Sequence, residues 1–330
     1  MAGRLRQRIS GDGLGDLESR LTWIWGSPRS GSSWLLQLLA DPLDPDLNAP
    51  LGFVLPATAP SRAPDVVPVD ELLFASHLVP WDGRPVEVFG EWWPGSVYGA
   101  SRGRASYFLS DAYRDAWQPE MRRLVLTRLQ AAVARAREAV PSIPARPAVV
   151  VKETPSGHGA DQVMELLPRS RGLLLIRDPR DVVDSLLHAF APGGFMAVQY
   201  GQAYETADER AAGAEWAAKT WAMSADVGRA AIERDHDPAL GMVVRYEDLL
   251  ADTAAGLASI LDWMGMPQSP AAVAETVERR SFARVADEAG DLRRTRSARP
   301  GRWRESLSKR EVEIVDAIAA ERIERYGYER

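Results

Sequence analysis

Short apolar segments alternate with amphipathic helical segments along most of this chain, and that alternation constrains its fold more than any other feature. The strand-length segments are rich in Val, Ile, Leu and Trp, whereas the stretches between them repeat apolar residues at helical spacing. The candidate strands are 21–25, 148–152, 172–177 and 242–246, and the candidate helices are 33–40, 119–140, 160–167, 179–190, 207–234, 253–264, 271–277 and 308–325. The pattern predicts an α/β fold with a central parallel sheet flanked by helices.

A single domain over residues 1–330 is predicted, because no internal repeat or convincing linker divides the chain. Residues 1–20 are expected to form a flexible N-terminus. Residues 49–114 are rich in proline, glycine and aromatic residues and show no regular pattern. We expect this segment to build an acceptor site or a lid, and an insertion that only packs on the fold is the alternative.

Composition excludes several kinds of chemistry. The sequence contains no cysteine, so disulfides, thiolate catalysis and cysteine-bound zinc are excluded. The four histidines do not share metal-ligand spacing, so no metal site is expected. No run approaches the roughly 20 apolar residues of a membrane span, and the charged N-terminus does not look like a secretory signal. We therefore expect a cytoplasmic protein, and the abundance of Ala, Arg and Gly favours a bacterial source.

A basic segment near the end of the chain stands out against the net charge of −6. Residues 279–310 contain eleven Arg or Lys and only four Asp or Glu. On an acidic protein, such a segment indicates a local anionic ligand and not a nucleic-acid partner, although a solvated arginine-rich face is the simpler alternative.

The strongest local motif is Gly26-Ser-Pro-Arg-Ser-Gly31-Ser32-Ser33-Trp34, which follows a strand and opens a helix. Backbone N–H groups converge in such a loop, and the helix dipole favours negative charge there. Both glycines and Ser33 match the Walker A pattern, but Ser32 occupies the lysine position. Without that lysine a nucleoside triphosphate is a poor ligand, whereas Arg29 and the hydroxyls of the loop suit another anion.

A second candidate anchor follows the strand 172–177. Arg177 ends that strand, where open α/β sheets bind ligands, and Ser185 lies two turns along the next helix. Two alternatives remain open: Arg177 pairs with Asp178 or Asp181, or Asp178 is a Walker B carboxylate that holds Mg²⁺.

Together these motifs resemble the sulfotransferase superfamily, both its cytosolic type and its bacterial relatives. Pro28-Arg-Ser-Gly-Ser-Ser-Trp34 is similar to the family's first loop, P-K-S-G-T-T-W, and Arg177 and Ser185 match its arginine and serine eight positions apart. Tyr246-Glu-Asp-Leu249, Ser281-Phe282 and Arg299-Pro-Gly-Arg-Trp-Arg304 continue the resemblance in chain order.

The resemblance implies a P-loop-like sulfotransferase that uses 3′-phosphoadenosine 5′-phosphosulfate and no metal. Its 5′-phosphosulfate would lie on the first loop, its adenine between Trp34 and Phe282, and its 3′-phosphate on Arg177, Ser185, Arg299 and Gly301. The implied loop ligands are Arg29, Ser30, Gly31, Ser32 and Ser33, and Tyr246 and Ser281 would also line the cofactor site. Arg29 replaces the lysine of cytosolic members; it keeps the charge but does not donate a proton near neutral pH.

The catalytic base is the weakest part of the resemblance. Cytosolic members carry a histidine two residues after a lysine, but Thr154 stands two residues after Lys152. Three candidates remain for accepting the proton: His158, which needs no pKa shift near pH 7; Glu153; and Glu91, which lies among aromatic residues that could raise its pKa.

The expected reaction is in-line transfer of a sulfuryl group to a hydroxyl or amine. The aromatic segment favours a small-molecule, lipid or glycan acceptor, for example in secondary metabolism. The rival functions are a P-loop kinase or nucleotide hydrolase, and a nucleotide-binding protein without catalysis.

Overall fold

The computed structural model describes residues 11–39, 66–70, 110–154, 159–233, 237–281 and 299–329. Five parallel strands form one sheet in the order β2-β3-β1-β4-β5. The strands are β1 (Leu21–Trp25), β2 (Val66–Asp70), β3 (Ala148–Lys152), β4 (Arg171–Ile176) and β5 (Gly241–Arg245). Since β1 is central and pairs with β3 on one side and β4 on the other, the loops that follow β1 and β4 meet at one edge.

Twelve described α-helices surround the sheet. They are α1 (Gly11–Glu18), α2 (Ser32–Leu39), α3 (Arg114–Ala139), α4 (Ala160–Leu166), α5 (Pro179–Ala189), α6 (Phe195–Tyr200), α7 (Ala207–Glu233), α8 (Tyr246–Ala251), α9 (Thr253–Trp263), α10 (Pro270–Arg279), α11 (Trp303–Ser306) and α12 (Lys309–Arg325). None of these helices is long and apolar enough to cross a membrane.

Alternate residues of β1 supply the two faces of the core. Trp23 and Trp25 stack at 5.5 Å and pack with α3, α4, α7 and α12, whereas Ile24 packs with α2, α9 and α10 on the opposite face. All five residues of β1 are buried, as the continuous apolar run predicts for a central parallel strand. The predicted α/β fold with a parallel sheet and flanking helices is confirmed.

The structure adds detail where the sequence was uninformative. The strand β2 lies inside the segment 49–114, to which no regular structure was assigned, because Pro68 interrupts its pattern; an edge strand tolerates proline. The helix α1 lies within residues 1–20, and Leu17 and Glu18 are buried. The helix α3 begins at Arg114 and not at Pro119, so that proline lies inside the helix. The rest of 49–114 up to residue 109 lies outside the described residues.

Candidate functional site

The loop between β1 and α2 has a backbone that only glycine accommodates at two positions. Gly26 has φ +152°, and a Cβ there would lie 2.6 Å from the carbonyl oxygen of Leu175 in β4. Gly31 has φ +95°, and a Cβ there would lie 2.6 Å from the ring of Tyr246. Because neither glycine carries a side chain, the loop can pack closely against β4 and the ring of Tyr246. Arg29, between them, also has positive φ, at 71°.

Two buried hydroxyls of this loop lack hydrogen-bond partners among the described residues. The side-chain oxygens of Ser27 and Ser30 are buried, with residue exposures of 3% and 1%. Ser32 is also buried, while Ser33 is exposed on the first turn of α2. Because buried polar groups in proteins nearly always have a partner, the two hydroxyls indicate a place for an acceptor group such as an anion.

The side chain of Arg29 reaches from the loop to α5. Its Nε donates to Oγ of Ser185 at 3.0 Å, and its guanidinium carbon lies 5.3 Å from the ring centre of Phe195 in α6. Burial, and then the nearby charge of Arg177, lower the pKa of Arg29 to about 10. Arg29 therefore remains a cation at neutral pH. The positive charges of Arg29 and Arg177 lie close together, and no described carboxylate lies between the two guanidinium groups.

Arg177 lies just after β4, and several elements hold it. Its Nη1 donates to the carbonyl oxygen of Arg29 at 3.2 Å, and its guanidinium lies 4.7 Å from the ring centre of Tyr246. The indole N–H of Trp221 in α7 donates to the Arg177 carbonyl at 2.9 Å. The Nε of Arg177 is buried and has no partner among the described residues. Arg177 thus adds a third unsatisfied donor beside the loop.

The carboxylates that could have neutralised Arg177 have other partners. Asp178 caps α5, accepting from the backbone N–H of Arg180, and also pairs with the Arg180 guanidinium through both carboxylate oxygens, at 2.9 and 2.8 Å. Asp181 accepts from the backbone N–H groups of Gly301 and Trp303 at 2.8 and 3.2 Å. No cluster of three possible metal ligands occurs among the described residues. Because Arg180 engages both carboxylate oxygens of Asp178, the position of Asp178 disfavours the Walker B alternative.

Tyr246, the first residue of α8, lies between the two anchors. It is buried, touches Gly31 and Arg177, and makes an edge contact with Trp34 at 5.9 Å between ring centres. Desolvation raises its pKa to about 12. The indole N–H of Trp34 donates to the carbonyl oxygen of Arg280 at 3.0 Å, beside Ser281. Phe282, the other expected adenine neighbour, lies outside the described residues.

Glu247, the next residue, connects the Arg177 turn to the end of the chain. Its Oε1 accepts from the backbone N–H of Asp178 at 2.9 Å, and its Oε2 accepts from the hydroxyl of Tyr328 at 2.8 Å. Burial raises the pKa of Glu247. The Tyr328 ring lies 4.6 Å from the guanidinium carbon of Arg245. This network holds the backbone that carries Arg177.

The described end of the late basic segment, residues 299–310, lies against α5 through Gly301, Trp303 and Ser306. Gly301 has φ +78°, and its N–H is engaged by Asp181. Arg299 is 62% exposed at its side chain and contacts Glu305. An exposed ion pair of this kind contributes little stability, so Arg299 can exchange Glu305 for another anionic partner at little cost.

Two of the candidate catalytic residues, Lys152 and Glu153, lie at the carboxyl end of β3. Lys152 ends β3, and Glu153 and Thr154 follow it; all three are buried. Asp70 ends β2 in register with Lys152, a position that the sequence prediction missed because β2 was not predicted. His158 and Glu91 lie outside the described residues. Ser27 was missed as well, although it directly follows the first loop glycine.

Comparison with known proteins agrees with this architecture. A family described as the sulfotransferase family matches residues 22–270. The fold is shared with mouse sulfotransferase SULT7A1, solved in complex with PAP, at a TM-score of 0.50 and 13% identity over 94% of this chain and 89% of that chain. No curated protein sequence matches significantly.

Two bacterial structures have lower scores. Sulfotransferase STF9 from Mycobacterium avium has a TM-score of 0.45 at 17% identity, over 94% of this chain and 77% of that chain. The sulfotransferase domain of the olefin synthase from Synechococcus PCC 7002 has a TM-score of 0.40 at 18% identity, over 91% and 94% of the two chains. The family match spans most of the sequence and includes both anchors, and on that ground this chain belongs to the sulfotransferase family.

Proposed function

We propose that this protein transfers a sulfuryl group from 3′-phosphoadenosine 5′-phosphosulfate to a hydroxyl or amine of a small-molecule, lipid or glycan acceptor in the cytoplasm. One observation carries the proposal. Three buried donors, the hydroxyls of Ser27 and Ser30 and the Nε of Arg177, lack partners in the described structure, and all three belong to adjoining anchors at one edge of the sheet. Two anchors suit a nucleotide that carries anionic groups at both its 5′ and 3′ positions.

The chain's own residues fit this ligand. The loop with Ser30, Gly31, Ser32 and Ser33 would hold the 5′ end, where backbone amides and the start of α2 favour negative charge. Arg177 and Ser185 would hold the 3′-phosphate, with Arg299 recruited from the late segment. Trp34 and Phe282 would flank the adenine, beside Ser281 and Tyr246. The N–H of Gly301 is occupied by Asp181, so Gly301 would contribute the shape of its turn and not a vacant amide.

The bound donor would supply the sulfuryl group, and adenosine 3′,5′-bisphosphate would be its leaving group. Arg29 then has one role, the stabilisation of negative charge that develops at the leaving side, because its pKa of about 10 keeps it charged at neutral pH. The hydrogen bond from Arg29 to Ser185 places that cation between the two anchors. Lys152, buried at the adjoining end of β3, is proposed as a second cation for the same charge.

The acceptor must lose a proton, and the proposed base is one of four residues. Glu153 and Asp70 follow or end neighbouring strands; His158 and Glu91 come from segments outside the described residues. Replacing the base by an isosteric neutral residue, for example Glu153→Gln or Asp70→Asn, should lower kcat by about 100-fold or more while nucleotide affinity changes less than about threefold. If a substitution lowers both kcat and nucleotide affinity, the residue has a positioning role and is not the base.

The acceptor side is expected near α6. The ring of Phe195 lies against Arg29, and Val198 on the same helix is 74% exposed. An apolar surface beside the reactive cation suits a hydrophobic acceptor, and the aromatic residues of 49–114 would add stacking surfaces.

The test of the proposed function is calorimetric titration with adenosine 3′,5′-bisphosphate in EDTA, compared with ATP in Mg²⁺. We expect the bisphosphate to bind without metal and the affinity to fall at least about 100-fold in Arg177→Ala, since a buried bidentate partner of phosphate is lost. Binding of ATP with Mg²⁺ in place of the bisphosphate would instead identify a kinase or nucleotide hydrolase. Binding without turnover of any acceptor tested would point to the non-catalytic alternative.

A further inference from the structure

The late segment is attached to α5 by two buried carboxylates that the proposed reaction does not use. Asp181 is 1% exposed; its Oδ2 accepts from the N–H of Gly301 at 2.8 Å and its Oδ1 from the N–H of Trp303 at 3.2 Å. One turn later, Asp184 accepts from the hydroxyl of Ser306 at 2.6 Å. Successive turns of α5 thus bind the segment that carries Arg299.

Trp303 reinforces this attachment. Its ring is contacted by the guanidinium groups of Arg180 and Arg304, at 4.2 and 4.5 Å from the ring centre. Arg180 is 1% exposed and is held by both oxygens of Asp178, so it cannot easily move. Stacking of a restrained guanidinium on an indole is a favourable contact for both groups. The segment therefore rests on the first turn of α5, directly after Arg177.

Asp181 interacts with the charge of Arg177 and accepts hydrogen bonds from the turn that follows Arg299. Burial raises its pKa, and the two backbone N–H groups and the charge of Arg177 oppose that rise. A buried carboxylate beside a phosphate site repels the phosphate, so the charge of Asp181 by itself weakens binding. Asp181 nevertheless accepts from the backbone N–H groups of Gly301 and Trp303. Its favourable contribution to phosphate binding is therefore the geometry of that turn.

We propose that Asp181 is a positioning residue that holds the turn at Gly301 in the shape required for Arg299 and Arg177 to bind one 3′-phosphate from opposite sides. The inference rests on the proposed function. Aspartate suits the task because its two oxygens can each accept one N–H, whereas asparagine offers one acceptor and a donor that faces the second N–H. Asp181→Asn would therefore release one of the two amides and displace the turn.

The test is the ratio of affinities for two probes, adenosine 3′,5′-bisphosphate and adenosine 5′-monophosphate, which differ only in the 3′-phosphate. In Asp181→Asn we expect affinity for the bisphosphate to fall about 10-fold or more, while affinity for the monophosphate changes less than about twofold. The control Asp226→Asn removes a carboxylate that pairs with Arg322 and Arg325 of α12, and should leave the ratio unchanged. General destabilisation would affect both probes alike.

A second pair of variants keeps the inference testable if Asp181→Asn does not fold. Gly301 and Gly193 share φ +78°, so alanine meets a left-handed backbone at either position; at Gly301 its methyl group would also lie 2.7 Å from the flexible Nη1 of Arg304. Only Gly301→Ala should lower the ratio; Gly193→Ala should not. An unchanged ratio in Asp181→Asn, or a rise in bisphosphate affinity from loss of the carboxylate charge, would overturn the positioning role. If the wild type itself does not bind the bisphosphate, the proposed function fails, and that result is distinct from failure of this inference.

Discussion

The contact between Gly31 and Tyr246 allows a quantitative test of how the two anchors are held together. Gly31→Ala would place a methyl group 2.6 Å from two carbons of the buried Tyr246 ring, and would force alanine to φ +95°. The backbone strain alone costs about 1–3 kcal/mol, and forcing a methyl group into a packed contact costs about 1–3 kcal/mol more. We therefore expect the free energy of unfolding to fall by about 2–6 kcal/mol, of which about half is steric overlap.

Gly193 is the matched control, because it has φ +78° but no atom within 4 Å of the position of its Cβ. Gly193→Ala should cost only the backbone strain, about 1–3 kcal/mol. Urea unfolding of both variants measures the difference. In a Tyr246→Leu background, the cost of Gly31→Ala should shrink by the overlap contribution, about 1–3 kcal/mol. Equal costs for Gly31→Ala and Gly193→Ala, or no coupling to Tyr246, would refute the proposed contact.

Further predictions concern the network that supports Arg177. Tyr328→Phe removes the hydroxyl that donates to Glu247 and should lower the free energy of unfolding by about 1–3 kcal/mol in urea. Folded Glu247 has a raised pKa, so it takes up a proton at higher pH than in the unfolded chain; wild type should gain stability relative to Glu247→Gln as pH falls from 7 towards 5, and a pH-independent difference would contradict this. Trp221→Phe removes the donor to the Arg177 carbonyl and should weaken bisphosphate binding several-fold, about 1 kcal/mol, in calorimetry.

Local patterns predicted four of the five described strands and the first loop because the required information is local. The glycines at 26 and 31 have positive φ, and the apolar run at 21–25 is buried throughout. The sequence analysis placed Arg177 and Tyr246 at the ends of strands. In the structure each strand ends one residue earlier, so Arg177 begins the turn before α5 and Tyr246 is the first residue of α8. Contacts from elsewhere in the chain act at such boundaries, as when the Trp221 indole donates to the Arg177 carbonyl oxygen.

The parts of the site that depend on distant pairs could not be predicted. Arg29 and Ser185 were assigned to opposite ends of the nucleotide, but the structure joins them by a hydrogen bond across 156 positions. Asp181 was considered only as a partner of Arg177, because its acceptance of the amides of Gly301 and Trp303 depends on how the late segment folds back onto α5. Asp70 was not identified because Pro68 interrupts the apolar pattern of β2, and that strand was therefore not predicted.

The most direct test of the central claim, that two anchors at one edge of the sheet bind a single nucleotide, is a crystal structure with adenosine 3′,5′-bisphosphate. The account predicts the 5′-phosphate on the loop with Ser27 and Ser30, and the 3′-phosphate within hydrogen-bond distance of Arg177 and Ser185. The hydroxyls of Ser27 and Ser30 and the Nε of Arg177, which lack partners among the described residues, should then have partners. A nucleotide bound elsewhere, or bound with Ser27, Ser30 and Arg177 still unpartnered, would contradict the account.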